Sequence, residues 1–339
     1  MITTALAVLA GFAFAACGVQ PQASVGTASA SHSVQTALAA IDTAGTRHRI
    51  DVIAHDSMGG RATPSRGLDL TARYIASEFE RFGLEPALPD GFIQTYSQND
   101  DGTAPNVAGI LPGSDADLRD TYVVYSAHMD HLGTGPPDAS GDSIYNGADD
   151  DASGTAAVIE IAEAFSLLDP RPARSIVFLT VSGEEGGLLG SEAFVAHGPI
   201  PPAAMVANIN IDMIGRNAAD TVVAIGIGYS DIGRRIRSIV SGNADLGLSV
   251  IDDPWPDERF FFRSDHYNFA TAGVPAIFLF AGTHEDYHMP SDEVDRIDAD
   301  KVARVARLAF RLGLDIATDP SPTEWTREGL TEVRPRNRN

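Results

Sequence analysis

Cysteine is all but missing from this chain: 339 residues hold one, Cys17. The folded part therefore has no intramolecular disulfide and no thiolate ligand, so a metal site must be built from His, Asp and Glu. Basic residues are also scarce, 24 Lys and Arg against 46 Asp and Glu, for a net charge of -22. That balance excludes nucleic-acid binding, which calls for basic patches. It suits cations or cationic substrates. No apolar run is long enough to span a bilayer; the N-terminal one, Thr4 to Ala16, is too short. What is present is a core: at 44% hydrophobic the chain can fill one large domain or two small ones.

The N-terminal run reads as an export signal over residues 1–17. Phe14-Ala15-Ala16-Cys17-Gly18 resembles the lipobox of bacterial lipoproteins, although Phe14 stands where Leu is usual and no basic residue precedes the run. Lipidation of Cys17 would attach the chain to a membrane, and the location expected is periplasmic, outer-membrane-anchored or secreted. Residues 18–36, rich in Ser, Ala, Gln and Gly, read as a flexible tether. A single catalytic domain is expected over 37–319 and a polar, poorly ordered tail over 320–339.

Within the domain, apolar β-prone runs alternate with helical periodicity. Strands are expected at Asn106 to Leu111, Thr121 to Ala127, Arg174 to Val181, Met205 to Ile211, Thr221 to Gly226 and Pro275 to Phe280. Helices are expected at Leu68 to Phe82, Ser153 to Leu168, Asp231 to Val240 and Asp300 to Ile316. The pattern predicts an α/β fold, three layers α-β-α, with a mostly parallel mixed central sheet covered on both faces.

Polar clusters fall at the C-terminal ends of these strands, where open α/β sheets place their sites. One end carries His128 and Asp130, another Glu184 and Glu185, a third Asp212, and the loop after the last strand His288. Asn146-Gly147-Ala148-Asp149-Asp150-Asp151-Ala152-Ser153-Gly154 supplies three adjacent carboxylates before a helix. Alone that stretch reads equally well as a solvated acidic loop with an N-cap, but mutual repulsion among the carboxylates favours a bound cation. Imidazole and carboxylate without thiolate suit zinc, manganese or cobalt. Two histidines with three or more carboxylates exceed the needs of one zinc and suit two ions roughly 3.5 to 4 Å apart. His-x-Asp fits a ligand with its orienting partner. Adjacent glutamates fit one ligand beside one general base.

The ordered set AHMDHLG, NGADDDASG, SGEEGGLLGS, NIDMIG and DYHMPSD resembles the co-catalytic zinc aminopeptidases, the family of secreted bacterial leucine aminopeptidases and aminopeptidase Y. Its wider clan holds glutamate carboxypeptidase II and the transferrin receptor. The resemblance spans Ala104 to Ile297. It implies a zinc-exopeptidase fold and two zinc ions per chain, with Co2+ or Mn2+ as substitutes. It also implies peptide substrates with a free N-terminus, attacked by a water shared between the ions. By motif, Asp150 would bridge the ions, His128 and Asp212 would complete one site, and Glu185 and His288 the other. Glu184 would be the general base, Asp130 the partner of His128, and Asp151 the support of a cis peptide bond at Asp150. Asp149 would lie behind the ligands or in solvent.

One departure stands out. Well-known members carry a tyrosine shortly before Ser-Asp-His that stabilises the oxyanion. Here the stretch is Arg259-Phe260-Phe261-Phe262-Arg263-Ser264-Asp265-His266. Arg263 or Tyr287 could take that part, and Phe261 with its neighbours and Trp255 could line a side-chain pocket or simply pack. His131 follows the first motif and could lie near the site, but reads as structural; His266 and His284 read as structural or peripheral. A carboxypeptidase or dipeptidase of the same fold is the alternative, with Arg216, Arg259 and Arg263 as candidates for a terminal carboxylate. A non-catalytic binding domain is disfavoured because no ligand is missing.

Overall fold

The computed structural model describes residues 1–2, 25–98 and 102–333, with backbone only over 25–31. Cys17 and most of the expected export signal lie outside the described residues. Four strands make the centre of the sheet: β4 (Tyr122–His128), β7 (Ser175–Val181), β8 (Met205–Ile211) and β11 (Ala276–Phe280). They run parallel in the order β7-β4-β8-β11. Antiparallel neighbours flank them: β3 (Thr103–Leu111) on β7, with β1 (Glu85–Pro86) and β2 (Ile93–Ser97) outside it. On the other side β9 (Thr221–Ile225) lies antiparallel to β11 and carries β10 (Ser249–Ile251). A separate small hairpin pairs β5 (Gly133–Thr134) with β6 (Ile144–Tyr145).

Every residue of β7, β8 and β11 is buried, because both faces of the sheet are covered. The pleat sends alternate residues to separate cores. Val123, Tyr125 and Ala127 join one cluster, packed under helices α4 (Ala152–Ser166) and α8 (Ala299–Thr318). Val124, Val177, Leu179 and Val181 join the other, with Phe194 of α5 (Leu189–His197) and Phe269 of α7 (His266–Thr271). The three-layer fold with a mixed sheet follows from this alternation. The helices α3 (Arg66–Arg81) and α6 (Ile232–Gly242) complete the expected set within a few residues of their expected limits.

Two stretches differ from expectation. The tether expected over 18–36 is helical from Val25: α1 spans Val25–Ala40, and α2 (Thr43–Ile53) follows. Ala37, Leu38 and Ile41 are buried against the α4 side of the core, with Val34 half-buried beside them. This is the i, i+3, i+4, i+7 stripe of an amphipathic helix, masked by the small residues around it. As far as Val333, the tail expected after Asp319 is fastened as well. The indole of Trp325 donates to Gly273 O at 3.0 Å, Thr326 caps α9 (Arg327–Glu332), and Val333 enters the aromatic core around Phe260 and Phe261. Among the described residues no helix is long and apolar enough to cross a membrane.

Candidate metal centre

The parallel strands stop together, and their ends bring the expected side chains to one cleft. β4 ends on His128, Asp212 follows β8 directly, Glu184 and Glu185 sit on the turn after β7, and His288 lies on the loop after β11. The cleft is lined by all of these and by Asp150.

Asp150 is the centre of the arrangement. Its Oδ1 is 3.2 Å from His128 Nε2, which is itself 3.6 Å from Asp212 Oδ1. Its Oδ2 is 3.2 Å from His288 Nε2, which is 3.3 Å from Glu185 Oε2. One carboxylate thus faces two donor sets, one through each oxygen. Atoms held about 2.0 to 2.1 Å from a tetrahedral zinc are roughly 3.3 Å apart. The observed spacings fit that polygon on both sides of Asp150.

The electrostatics point the same way. Burial alone would raise Asp150, but His131, His128 and His288 outweigh it and hold the carboxyl well below its ordinary value. Burial lowers His128, yet Asp212, Glu184, Asp130 and Asp150 hold it well above the imidazole range. Burial also works against His288, and Asp150 and Glu185 raise it to about 10. Glu184 behaves oppositely to its neighbour. Burial, then Asp265, Asp212 and Glu185, push it well above the carboxylate range against the pull of His128. Glu185 is held down by His131 and His288 despite burial and Asp150. The buried carboxylates outnumber the imidazoles facing them, so the set carries an excess of negative charge that cations would neutralise.

The three adjacent aspartates have separate partners. Asp149, expected behind the ligands or in solvent, is fully buried: Oδ1 accepts from Gly215 N at 2.6 Å and Oδ2 is 3.2 Å from His284 Nε2. Asp151 follows a cis peptide bond. It lies near His128 and Asp212, but Oδ1 accepts from Gly154 N and Met213 N and Oδ2 from His128 N. It therefore joins β4, the turn after β8 and the start of α4, and only Asp150 keeps both oxygens for the cleft. Asp130 plays a broader part than a partner of His128. Its carboxylate is 3.7 Å from His128 Nδ1, while its Oδ2 accepts from Thr63 Oγ1 at 2.8 Å and Gly183 N at 2.7 Å. It ties the first motif to the turn that carries Glu184.

Several expectations for the cleft wall change. Phe261, expected to contact substrate, faces away: it packs on His266 and Tyr229 and lines a separate cavity. Phe260 takes its place, with Met213, Phe278 and Phe280. Arg263 and Tyr287 do line the cleft, and the Tyr287 ring stacks on His288 at 3.8 Å. Arg216 is committed to Asp286 at 2.7 Å, and Arg259 lines the other cavity. His266 is buried against Phe261 and Phe278, and His284 lies beside Asp149. His131, read as structural, instead points into the cluster, 2.8 Å from Glu185 Oε1.

Two residues escaped sequence reasoning. Arg61 is fully buried and donates to the carbonyls of Met129, Ile53, Asn146 and Gly147. Asp292, in the DYHMPSD motif, accepts from Asp149 N and Asp150 N at 3.0 to 3.1 Å. The motif was visible, but its partner, a backbone more than 140 positions away, was not.

Known proteins resemble the chain in sequence and in fold. A probable zinc metalloprotease of Pyricularia oryzae is 28% identical over 347 residues, covering 85% of this chain and 66% of its own length. A probable leucine aminopeptidase of Arthroderma otae is 25% identical over 63% of this chain and 58% of its own. Leupeptin-inactivating enzyme 1 of Streptomyces exfoliatus is 27% identical over 69% and 47%. The chain thus spans less than two thirds of each of these relatives. The fold is shared with the LapA aminopeptidase of Legionella pneumophila (TM-score 0.69, 21% identity, 92% of this chain and 81% of that one). It is also shared with an aminopeptidase from Aneurinibacillus sp. strain AM-1 (TM-score 0.64, 15% identity, 85% and 97%). The model of Peptidase family M28 matches residues 106–313, the stretch that holds every residue of the metal cluster, and the chain belongs to that family.

Proposed function

We propose that the chain is an exported aminopeptidase that holds two zinc ions and removes the N-terminal residue of peptides. The observation that carries this is the Asp150 carboxylate, which turns one oxygen to His128 and Asp212 and the other to Glu185 and His288. Zinc bound there supplies Lewis acidity to the peptide carbonyl and to the attacking water. The chain supplies the rest. Glu184 forms no ion pair with an imidazole among the described residues and its affinity for protons is raised against the pull of His128, so it takes the proton of the water and returns it to the leaving amine. Burial, with Asp150, Glu185 and Asp212 near, keeps the Tyr287 phenol protonated. Tyr287 and Arg263 are the donors placed to meet an oxyanion, in a chain without a tyrosine before Ser264.

The charge excess of the cleft supports an ammonium group as the recognised end. Of the three arginines considered for a terminal carboxylate, Arg216 is paired, Arg259 lies outside the cleft, and only Arg263 lines it, 3.3 Å from Glu258. The wall of Met213, Phe260, Phe278 and Phe280 fits an apolar N-terminal side chain. Leucine aminopeptidase and leupeptin-inactivating enzyme among the relatives agree with this reading. A panel of aminoacyl anilides assayed beside N-blocked peptides tests it. Turnover of free-amine substrates with apolar first residues is expected, and activity confined to blocked peptides would reject it. Export and membrane attachment rest on residues 4–17. Replacing Cys17 by Ser should move the protein out of the membrane fraction, and an unchanged partition removes lipidation from the proposal.

A further inference from the structure

We propose that His131 is a fourth protein ligand of the ion held by Asp150, Glu185 and His288, an inference that rests on the two-ion reading above. Its ring is fully buried, and neither nitrogen has a hydrogen-bond partner among the described residues. A buried imidazole left so is costly unless something else meets it. Nδ1 is 2.8 Å from Glu185 Oε1, yet the two atoms lack the alignment of an N–H···O hydrogen bond, and Oε1 is likewise without a partner. Two buried polar atoms so close, each without a geometric hydrogen-bond partner, fit two donors of one ion. Nδ1 also lies 3.7 Å from Asp150 Oδ2. With His288 Nε2 at 3.2 and 3.3 Å from Asp150 and Glu185, these separations bracket the roughly 3.3 Å edge of a tetrahedral zinc polygon.

The ring is also clamped. Gly147, at φ +54, lies so close that a Cβ there would meet His131 Cγ and Cδ2 at 2.5 Å and Asp150 O at 2.1 Å. The same backbone that delivers Asp150 thus fixes the plane of His131. The two sites are then chemically unlike. The His128–Asp212 site offers one imidazole, and the Glu185–His288 site offers two. Imidazole-rich sites suit zinc over harder divalent ions, so the second site is the one that fills first.

His131→Asn separates this role from simple orientation of Glu185, because the Asn amide can replace Nδ1–H as a donor but is a poor zinc ligand. Zinc stoichiometry and affinity, read by chelator competition on the zinc-loaded protein, should show two ions in the wild type. In the variant one ion is expected to weaken by more than about 100-fold, beyond the 10–100-fold typical of lost outer-sphere partners. Asn at wild-type affinity would overturn the inference and leave the two-ion reading standing, whereas a wild type without two ions would overturn both. Should the variant fail to fold, zinc X-ray absorption of the wild-type protein counts imidazoles directly. Three per two zinc ions supports the assignment, and two refutes it.

Discussion

Replacing Glu184 by Gln tests the division of labour between adjacent glutamates. In the proposed reading Glu185, which faces His288 at 3.3 Å, is a ligand, while Glu184, with no imidazole ion pair among the described residues, carries the proton. General-base assistance contributes about 10²- to 10⁴-fold, so kcat should fall by that factor, about 2.7 to 5.5 kcal/mol. KM should hold, since the apolar wall and the ligands are untouched. Stability carries its own sign. Glu184 in the folded metal-free protein binds its proton more tightly than the ordinary 4.5, so the folded state loses stability as pH rises above 4.5 toward the raised value. A neutral amide removes that penalty. The variant should therefore melt no lower than the wild type at neutral pH, with a gap that grows between acid and neutral conditions. Zinc content by plasma emission should stay at two per chain, and His288→Ala should lose an ion. Equal metal loss in both variants, or a Gln variant with more than about a tenth of wild-type kcat, would refute the assignment, since base catalysis is worth at least ~10²-fold.

Arg61→Met should leave three buried carbonyls, those of Met129, Ile53 and Asn146, unpaired at about 1 to 3 kcal/mol each, while Gly147 O keeps Ala152 N. A loss of about 4 kcal/mol or more, or roughly 8 °C in melting temperature, is expected by calorimetry, and a shift within about 2 °C would deny Arg61 its place. Gly147→Ala forces a Cβ onto Asp150 O and His131 at a positive φ. It should destabilise by about 1 to 3 kcal/mol and weaken zinc binding; an unchanged chelator titration would contradict the close approach. His288 is held up to about 10 in the metal-free site, burial notwithstanding, by Asp150 and Glu185. Zinc must displace that proton, so apparent affinity should rise with pH through neutrality by up to about tenfold per unit. Titration calorimetry in buffers of different ionisation enthalpy should detect at least one proton released, and none would contradict the protonated imidazole.

The readable parts of the chain were those where burial on two faces leaves a continuous signal. TYVVYSA and RSIVFLTV had to be central strands because both their faces are covered, and the ligands follow at their ends. The edges were less legible: β1 and β2 are short and depend on β3 for partners, and α1 hides its stripe among alanines and serines. Phe260 and Phe261 were indistinguishable for a physical reason. Phe260–Phe262 forms a turn of 3₁₀ helix, in which successive side chains point about 120° apart. One ring faces the cleft, the next the opposite cavity, and composition cannot say which. The direction of His131 was not legible because the chain after Asp130 is held by Arg61, whose carbonyl accepts from His131 N at 3.3 Å.

The tri-aspartate stretch shows how a ligand is held without using its own ligand atoms. A carboxylate fixed by hydrogen bonds to its oxygens is well placed but has given up its lone pairs. Asp151 is fixed in that way through both oxygens and Asp149 through Oδ1, by backbone N–H groups. Asp150 is fixed from its backbone instead. Asp292 accepts its N–H, Arg61 holds the carbonyls of Asn146 and Gly147 just before it, and the capped α4 fixes the chain just after. Between two neighbours that anchor the loop, one carboxylate is left with both oxygens toward the imidazoles. The repulsion among three adjacent charges is thereby divided. Asp149 and Asp151 are met by backbone N–H dipoles, and the charge of Asp150 is left for cations. Anchoring of this kind needs flanking residues with acceptor side chains. That is a physical reason for three aspartates in a row where one ligand is required.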